Sequence, residues 1–124
     1  MDKGVKIVRE RNKSYNKYGN KKIVVDGHKF DSQKEARRYT ELKLMERAGV
    51  IKDLELQPAF ELIPTIRTET ETLYKVSYYA DFRYTDTKTG GVVVEDVKGY
   101  KTKEYILKKK MLLHKYEGID FREI

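Results

Sequence analysis

Apolar and polar residues alternate most cleanly over residues 73–84, LYKVSYYADFRY. In an extended strand Tyr74, Val76, Tyr78, Ala80, Phe82 and Tyr84 fall on one face, and Leu73, Lys75, Ser77, Tyr79, Asp81 and Arg83 on the other. A turn signal at Thr89-Gly90-Gly91 leads into a valine run, residues 92–98, which predicts a second strand antiparallel to the first. Upstream, KIVVDGHKF (residues 22–30) predicts a hairpin turning at Asp26-Gly27. The spacing then predicts a helix from Ser32 as N-cap to Gly49 just past its end, with Ser32 and Glu35 at the separation of a capping box. Strand-like VIKDLELQPAFELIP and a polar, loop-like TIRTETET lie between that helix and the alternating strand. Thr102 opens a second helix that stops at Gly118, and IDFREI alternates Ile119, Phe121 and Glu123 as a last short strand. Hairpin, helix, several strands, helix and strand make an α/β domain, a central mixed sheet flanked by helices.

Charge changes this picture at its N-terminal end. The chain has 124 residues, enough for one domain, with 27 Lys and Arg against 20 Asp and Glu and a net charge of +7. Residues 1–20 concentrate the excess in Lys3, Lys6, Arg9, Arg11, Lys13 and Lys17, with no clear period. They read as a basic, flexible arm ordered by nucleic acid or a partner, before a single domain over 21–124. The excess of positive charge favours a polyanion. The absence of cysteine rules out disulfides and thiolate metal sites. No apolar run approaches the roughly 18–20 residues of a membrane span, and the basic N-terminus lacks an apolar signal core. A soluble, cytoplasmic protein is expected.

The valine run raises the chemical question. It ends in Glu95-Asp96-Val97-Lys98, so Val94, Asp96 and Lys98 share a face. Two charges on a strand face need a salt bridge, water, a metal or a ligand, since an unpaired buried charge costs several kcal/mol. Pairing of the two strands through their turn brings Asp81 to the end that carries Asp96. Two carboxylates on adjacent strands suit a hard cation such as Mg²⁺, which keeps several waters. Lys98 beside them could orient an attacking water or stabilise charge on a phosphate. Glu35 supplies a third acid. It shares a helix flank with Tyr39 and Leu42, a flank expected to face the sheet, but it is also the acid of the capping box. Glu95, on the opposite face from Asp96, reads as structural, paired with a lysine.

Other signals concern binding. Lys101, Lys103, Lys108, Lys109, Lys110 and Lys115 cluster about the second helix with Glu104 as the main counter-charge. Thr102 opens that helix, and a helix N-terminus is a natural phosphate seat. DNA-backbone contact is expected of Lys101, Thr102, Lys103, Lys108 and Lys109, and of Arg9, Arg11 and Lys13 in the arm. Gln57, ahead of Pro58, is either an ordinary strand-end residue or a hydrogen-bond donor to a phosphate or bound water. Tyr105, Ile106, Leu112, Leu113 and Tyr116 read as core or dimer packing. His28 and His114 have no zinc spacing, and no Walker loop, nucleophile elbow or dinucleotide fingerprint occurs.

Glu35, then Ala80-Asp81 after an apolar strand, then Asp96-Val97-Lys98, resembles the PD-(D/E)xK nuclease superfamily. Ala80 stands where a proline is common there. FDSQKEARRYTEL, LELQPAFELI, YYADFRY, VVVEDVKG and the T-x-x-Y-x-x-K-K-K of the second helix are similar to a group of small phage and prophage proteins of that superfamily. Over residues 22–124 the size and layout resemble the archaeal-type Holliday junction resolvases, small basic homodimers. The resemblance implies a restriction-endonuclease-like core and Mg²⁺ (Mn²⁺ can substitute) on Glu35, Asp81 and Asp96, with Lys98 at the water. It implies a homodimer cutting four-way DNA junctions. A nicking or end-cutting nuclease, and a non-catalytic nucleic-acid-binding module, are the alternatives.

Overall fold

The structure is a computed structural model and describes residues 6–9, 21–97 and 100–124. The chain divides into two compact units, Met1–Met45 and Glu46–Ile124. Among the described residues it is an α/β protein with two helices and, in the second unit, a mixed multi-stranded sheet.

In the first unit, strands β1 (Lys6–Arg9), β2 (Lys21–Val25) and β3 (His28–Phe30) form an antiparallel sheet in that order. The hairpin between β2 and β3 turns at Asp26 and Gly27, at φ 51° and 80°. Two positive φ values give the mirror-image turn that matches strand twist, and Asp-Gly adopts it readily. Part of the expected arm is therefore a strand: Ile7 pairs with Ile23 and Val8 with Lys22. The short alternation KIVR is below the length at which a period is visible in sequence, and pairing with β2 supplies what it lacks.

Helix α1 (Gln33–Arg47) begins at the expected cap. Ser32 Oγ accepts from Glu35 N at 3.1 Å, and Glu35 Oε1 accepts from Asp31 N at 3.3 Å. The acid thus reaches back one residue beyond the usual capping-box target. Glu35, Ala36, Tyr39 and Leu42 are its buried residues. The Tyr39 ring meets those of His28 and Phe30, and its hydroxyl donates to Asp26 Oδ2.

The second unit holds a four-stranded sheet built from β4 (Ile51–Leu56), β9 (Phe82–Asp86), β10 (Val92–Asp96) and β11 (Asp120–Glu123), in the order β11-β10-β9-β4. β9 is antiparallel to both neighbours, whereas β10 and β11 are parallel and are joined through helix α2 (Lys103–Lys115). A parallel connection needs such a crossover. Between β4 and β9 the chain forms a long hairpin of β5 (Ala59–Ile63) with β8 (Val76–Tyr79) and β6 (Ile66–Arg67) with β7 (Thr72–Leu73). The expected TIRTETET loop is therefore a hairpin tip. Its threonines replace an Asn-Gly signal by side-chain bonds, with Thr68 Oγ1 accepting from the Glu71 and Thr70 amides.

The strand expected over 73–84 is broken, and the break matters. Opposite it lie Gln57, at φ 51°, and Pro58, which has no N–H to give. The ladder continues through the corner, with Gln57 N donating to Asp81 O and Ala80 N to Pro58 O. The pleat nonetheless changes hands. Tyr84 faces Val93 across β9–β10, whereas Tyr78 packs with Val94, Tyr105 and Leu112. Phe60, Leu62, Ala80 and these residues make the core between the strands and α2.

Candidate functional site

The corner places Asp81 at the end of the sheet where β10 stops. Its amide donates to Glu95 O at 3.0 Å, and its Oδ2 accepts from Val97 N at 2.6 Å. Asp81 is thus tied to the residues on both sides of Asp96, as expected of two strands that pair through their turn. Gln57 serves this arrangement through its backbone, by holding the Asp81 carbonyl. Gln57 lies next to Asp81, and the bond that the structure shows between them is made by the main chain.

Asp96 is 1% exposed, and both of its carboxylate oxygens lie away from solvent. The Tyr78 hydroxyl donates to Oδ2. A buried carboxylate keeps its charge only with such compensation. Glu95 is fully buried on the opposite face, where it accepts from the Tyr84 hydroxyl. The partner shown is a tyrosine. Its register neighbour on β11 is Arg122, whose guanidinium the Glu95 charge helps to keep protonated, after the larger effect of its own bond to Asp120.

Sequence reasoning missed a third acid on the Asp96 face. Parallel pairing sets Glu123 beside Asp96. Lys101 Nζ lies 3.0 Å from Glu123 Oε1, Lys109 Nζ lies 3.2 Å from Oε2, and the Tyr105 hydroxyl donates to Oε2. The Tyr105 hydroxyl bond comes first among the causes that lower the Glu123 carboxyl from 4.5 to about 2, followed by Lys101 and Lys109. Tyr105 is pushed far up from 10.0, first by burial, then by its bond to Glu123 and the charges of Asp96, Glu123 and Asp81. The phenol therefore feels all three acids. The available signal was the alternation of IDFREI, which puts Glu123 on the face of Ile119 and Phe121; the missing information was its parallel partner.

A pH dependence follows from the sign of that shift. A carboxyl with a depressed folded pKa contributes stability that is complete above its unfolded value and lost as pH falls through the folded one. Acid unfolding followed by circular dichroism is expected to show a loss of stability between about pH 4.5 and 2 that Glu123→Gln lacks. Parallel curves for the two proteins would refute this role for Glu123.

The remaining expected residues divide between the two units or lie outside the described residues. Lys98 lies outside them, as do Arg11 and Lys13, while Arg9 is a backbone partner of Lys21 in β1. Glu35 belongs to the first unit as a helix cap. Thr102 is the N-cap of α2, its Oγ1 accepting from Tyr105 N at 3.0 Å. Lys103 is exposed, and Lys108 is paired with Glu104 one turn away. Tyr105 and Leu112 are core, Tyr116 is half-buried, and Ile106 and Leu113 are exposed. Among the described residues no set of three or more Asp, Glu or His side chains is gathered as a metal site, and no helix is long and apolar enough to cross a membrane.

The donor chemistry of the Asp81–Asp96 pair still fits a hard cation. Mg²⁺ takes oxygen ligands, is held by as few as one or two carboxylates, and completes its shell with water and substrate oxygens.

Neither curated proteins nor solved structures give a significant match to the chain. A family model described as a protein of unknown function, DUF1064, matches residues 15–124, and the chain belongs to that family.

Proposed function

We propose that this protein is a Mg²⁺-dependent, structure-selective DNA endonuclease with a restriction-endonuclease-like core, and that its substrate is the four-way junction. The observation that carries the reading is the seating of Asp81 against Asp96. One acid sits at a strand corner and is bonded to the carbonyl before the other and the amide after it, at the sheet end where the sequence continues to Lys98. Asp81 and Asp96 would hold the ion. A divalent ion there supplies electrostatic stabilisation of the phosphate and a more acidic water. The protein itself supplies a rigid seat. Tyr78 fixes the Asp96 carboxylate, and the Gln57–Asp81 backbone bond fixes the corner. Lys98 orients the water, and the lysines about α2 hold the flanking phosphates. A two-fold dimer with one site per subunit matches the near two-fold symmetry of a junction.

The test is a panel of four-way junction, linear duplex, flap and single-stranded DNA with Mg²⁺ and with EDTA. Paired symmetric nicks on the junction alone are expected, from a protein whose mass in solution is that of two chains. Cutting of flaps or duplex in preference would shift the reading to a nicking or end-cutting enzyme.

The burial of Asp96 and its bond to Tyr78 favour a second reading, a nucleic-acid-binding module on the same fold that does not cut. Binding of junction DNA with no cleavage in either Mg²⁺ or Mn²⁺ would establish it.

A further inference from the structure

Three donors from α2 and the segment just before it converge on one carboxylate. Lys101 precedes α2 and Lys109 and Tyr105 lie within it, and all three close on Glu123 of β11. Lys109 also lies over the Phe121 ring at 5.5 Å, which fixes its direction. Glu123 remains about a quarter exposed, so the cluster is reachable from solvent. Two ammonium groups and a hydroxyl around a small anion form the donor set that would hold a phosphate. Asp96 is the register neighbour of Glu123, and Asp81 and Asp96 act on Tyr105 through their charges. Phosphate approaching those two acids meets repulsion, and local cations are needed to offset it.

We propose that Glu123 is an internal stand-in for phosphate: Lys101, Lys109 and Tyr105 form a phosphate seat beside the Asp81–Asp96 pair, which the Glu123 carboxylate fills until a phosphate group displaces it. The seat goes beyond the nuclease reading and rests on it only for the identity of the phosphate, a DNA phosphodiester rather than a free anion. In this scheme Glu123 restrains DNA binding. The two lysines are neutralised at rest and become available only where a phosphate can outcompete a tethered carboxylate.

The experiment compares the wild type with Glu123→Gln and Asp120→Asn in two titrations, inorganic pyrophosphate in EDTA followed by thermal midpoint, and short duplex DNA at several salt concentrations. Asp120→Asn removes one negative charge from the same strand, where Asp120 pairs with Arg122, and so controls for net charge. Glutamine keeps the size of the side chain and an acceptor for Tyr105. Glu123→Gln is expected to gain thermal stabilisation by pyrophosphate beyond that of wild type and Asp120→Asn. It is expected to bind DNA about tenfold more tightly, with a salt slope steeper by about 0.9, for the one phosphate newly contacted. Both gains should vanish when Lys101→Gln and Lys109→Gln are added. In the wild-type background that lysine pair should weaken pyrophosphate stabilisation more than the charge-matched Lys52→Gln/Lys88→Gln pair. This comparison decides the matter should Glu123→Gln fail to fold.

Equal behaviour of Glu123→Gln and Asp120→Asn would reduce the effect to net charge and overturn the seat. A folded Glu123→Gln that binds phosphate no better than wild type would show the cluster to be a structural ion pair only. Failure of the nuclease reading looks different. The pyrophosphate gain would then persist with no cleavage of any DNA, and its persistence without a gain in DNA binding would assign the seat to a free anion.

Discussion

Asp96→Asn is expected to lower Mg²⁺-dependent junction cutting by at least about a hundredfold, which corresponds to roughly 3 kcal/mol of transition-state stabilisation, while leaving fold and DNA binding in place. The substitution is chosen for what surrounds the side chain. Asp96 is buried and accepts from Tyr78. Alanine would open a cavity and strand that hydroxyl, at about 1–3 kcal/mol, so lost activity could reflect lost structure. Asparagine keeps the volume and an acceptor for Tyr78 and removes the charge, with an amide NH2 in place of one oxygen. Asp81→Asn is a weaker instrument, because its carboxylate also holds the Val97 amide. Rates on a four-way junction, with melting temperature and gel-shift affinity alongside, decide the outcome. An Asp96→Asn protein that cuts like wild type would remove the two-carboxylate assignment. A variant that loses binding together with cutting would show that Asp96 organises the DNA surface and not the reaction.

What was legible beforehand is what depends on short-range chemistry. Asp26-Gly27 specified its turn because both positions must take positive φ. Ser32 and Thr102 specified helix starts because a side-chain oxygen serves an amide three residues on. The nearness of Asp81 and Asp96 was legible for a related reason, since a short turn between two antiparallel strands sets their register. The strand break at Ala80–Asp81 was not legible. Apolar alternation runs on through it, and its cause lies on another strand, in Gln57 and Pro58. The Glu123 cluster was hidden in the same way. Lys101, Tyr105 and Lys109 read locally as a solvated basic helix. Only the parallel pairing of β11 with β10, across a crossover of more than twenty residues, brings an acid among them. Glu35 shows the remaining limit. One side chain satisfied two sequence patterns, and the contact shown in the structure is the cap.

The largest stability effect is expected at the helix that carries this cluster, and α2 offers an internal control. Leu112 and Leu113 are adjacent in sequence and alike in composition, but Leu112 is completely buried and Leu113 is 41% exposed. Leu112 lies two turns on from Tyr105, with Lys109 between them, and packs in the core of Phe60, Tyr78 and Val94. Leu112→Ala is expected to cost about 3 kcal/mol, from lost transfer free energy and the cavity left behind. Leu113→Ala should cost under about 1 kcal/mol, since the residue already spends much of its surface in water. Urea unfolding monitored by far-ultraviolet circular dichroism measures both. Equal losses would mean that α2 is held by its outer face, against a partner or a second copy, and not by this core. If Leu112 is the anchor, loosening it also frees Tyr105 from Glu123. Leu112→Ala should then bring the phenol down from its elevated pKa toward the ordinary range, a change that ultraviolet titration above pH 10 reads directly. A tyrosine that stays elevated in the loosened helix would show that Glu123, not the packing of α2, sets its environment.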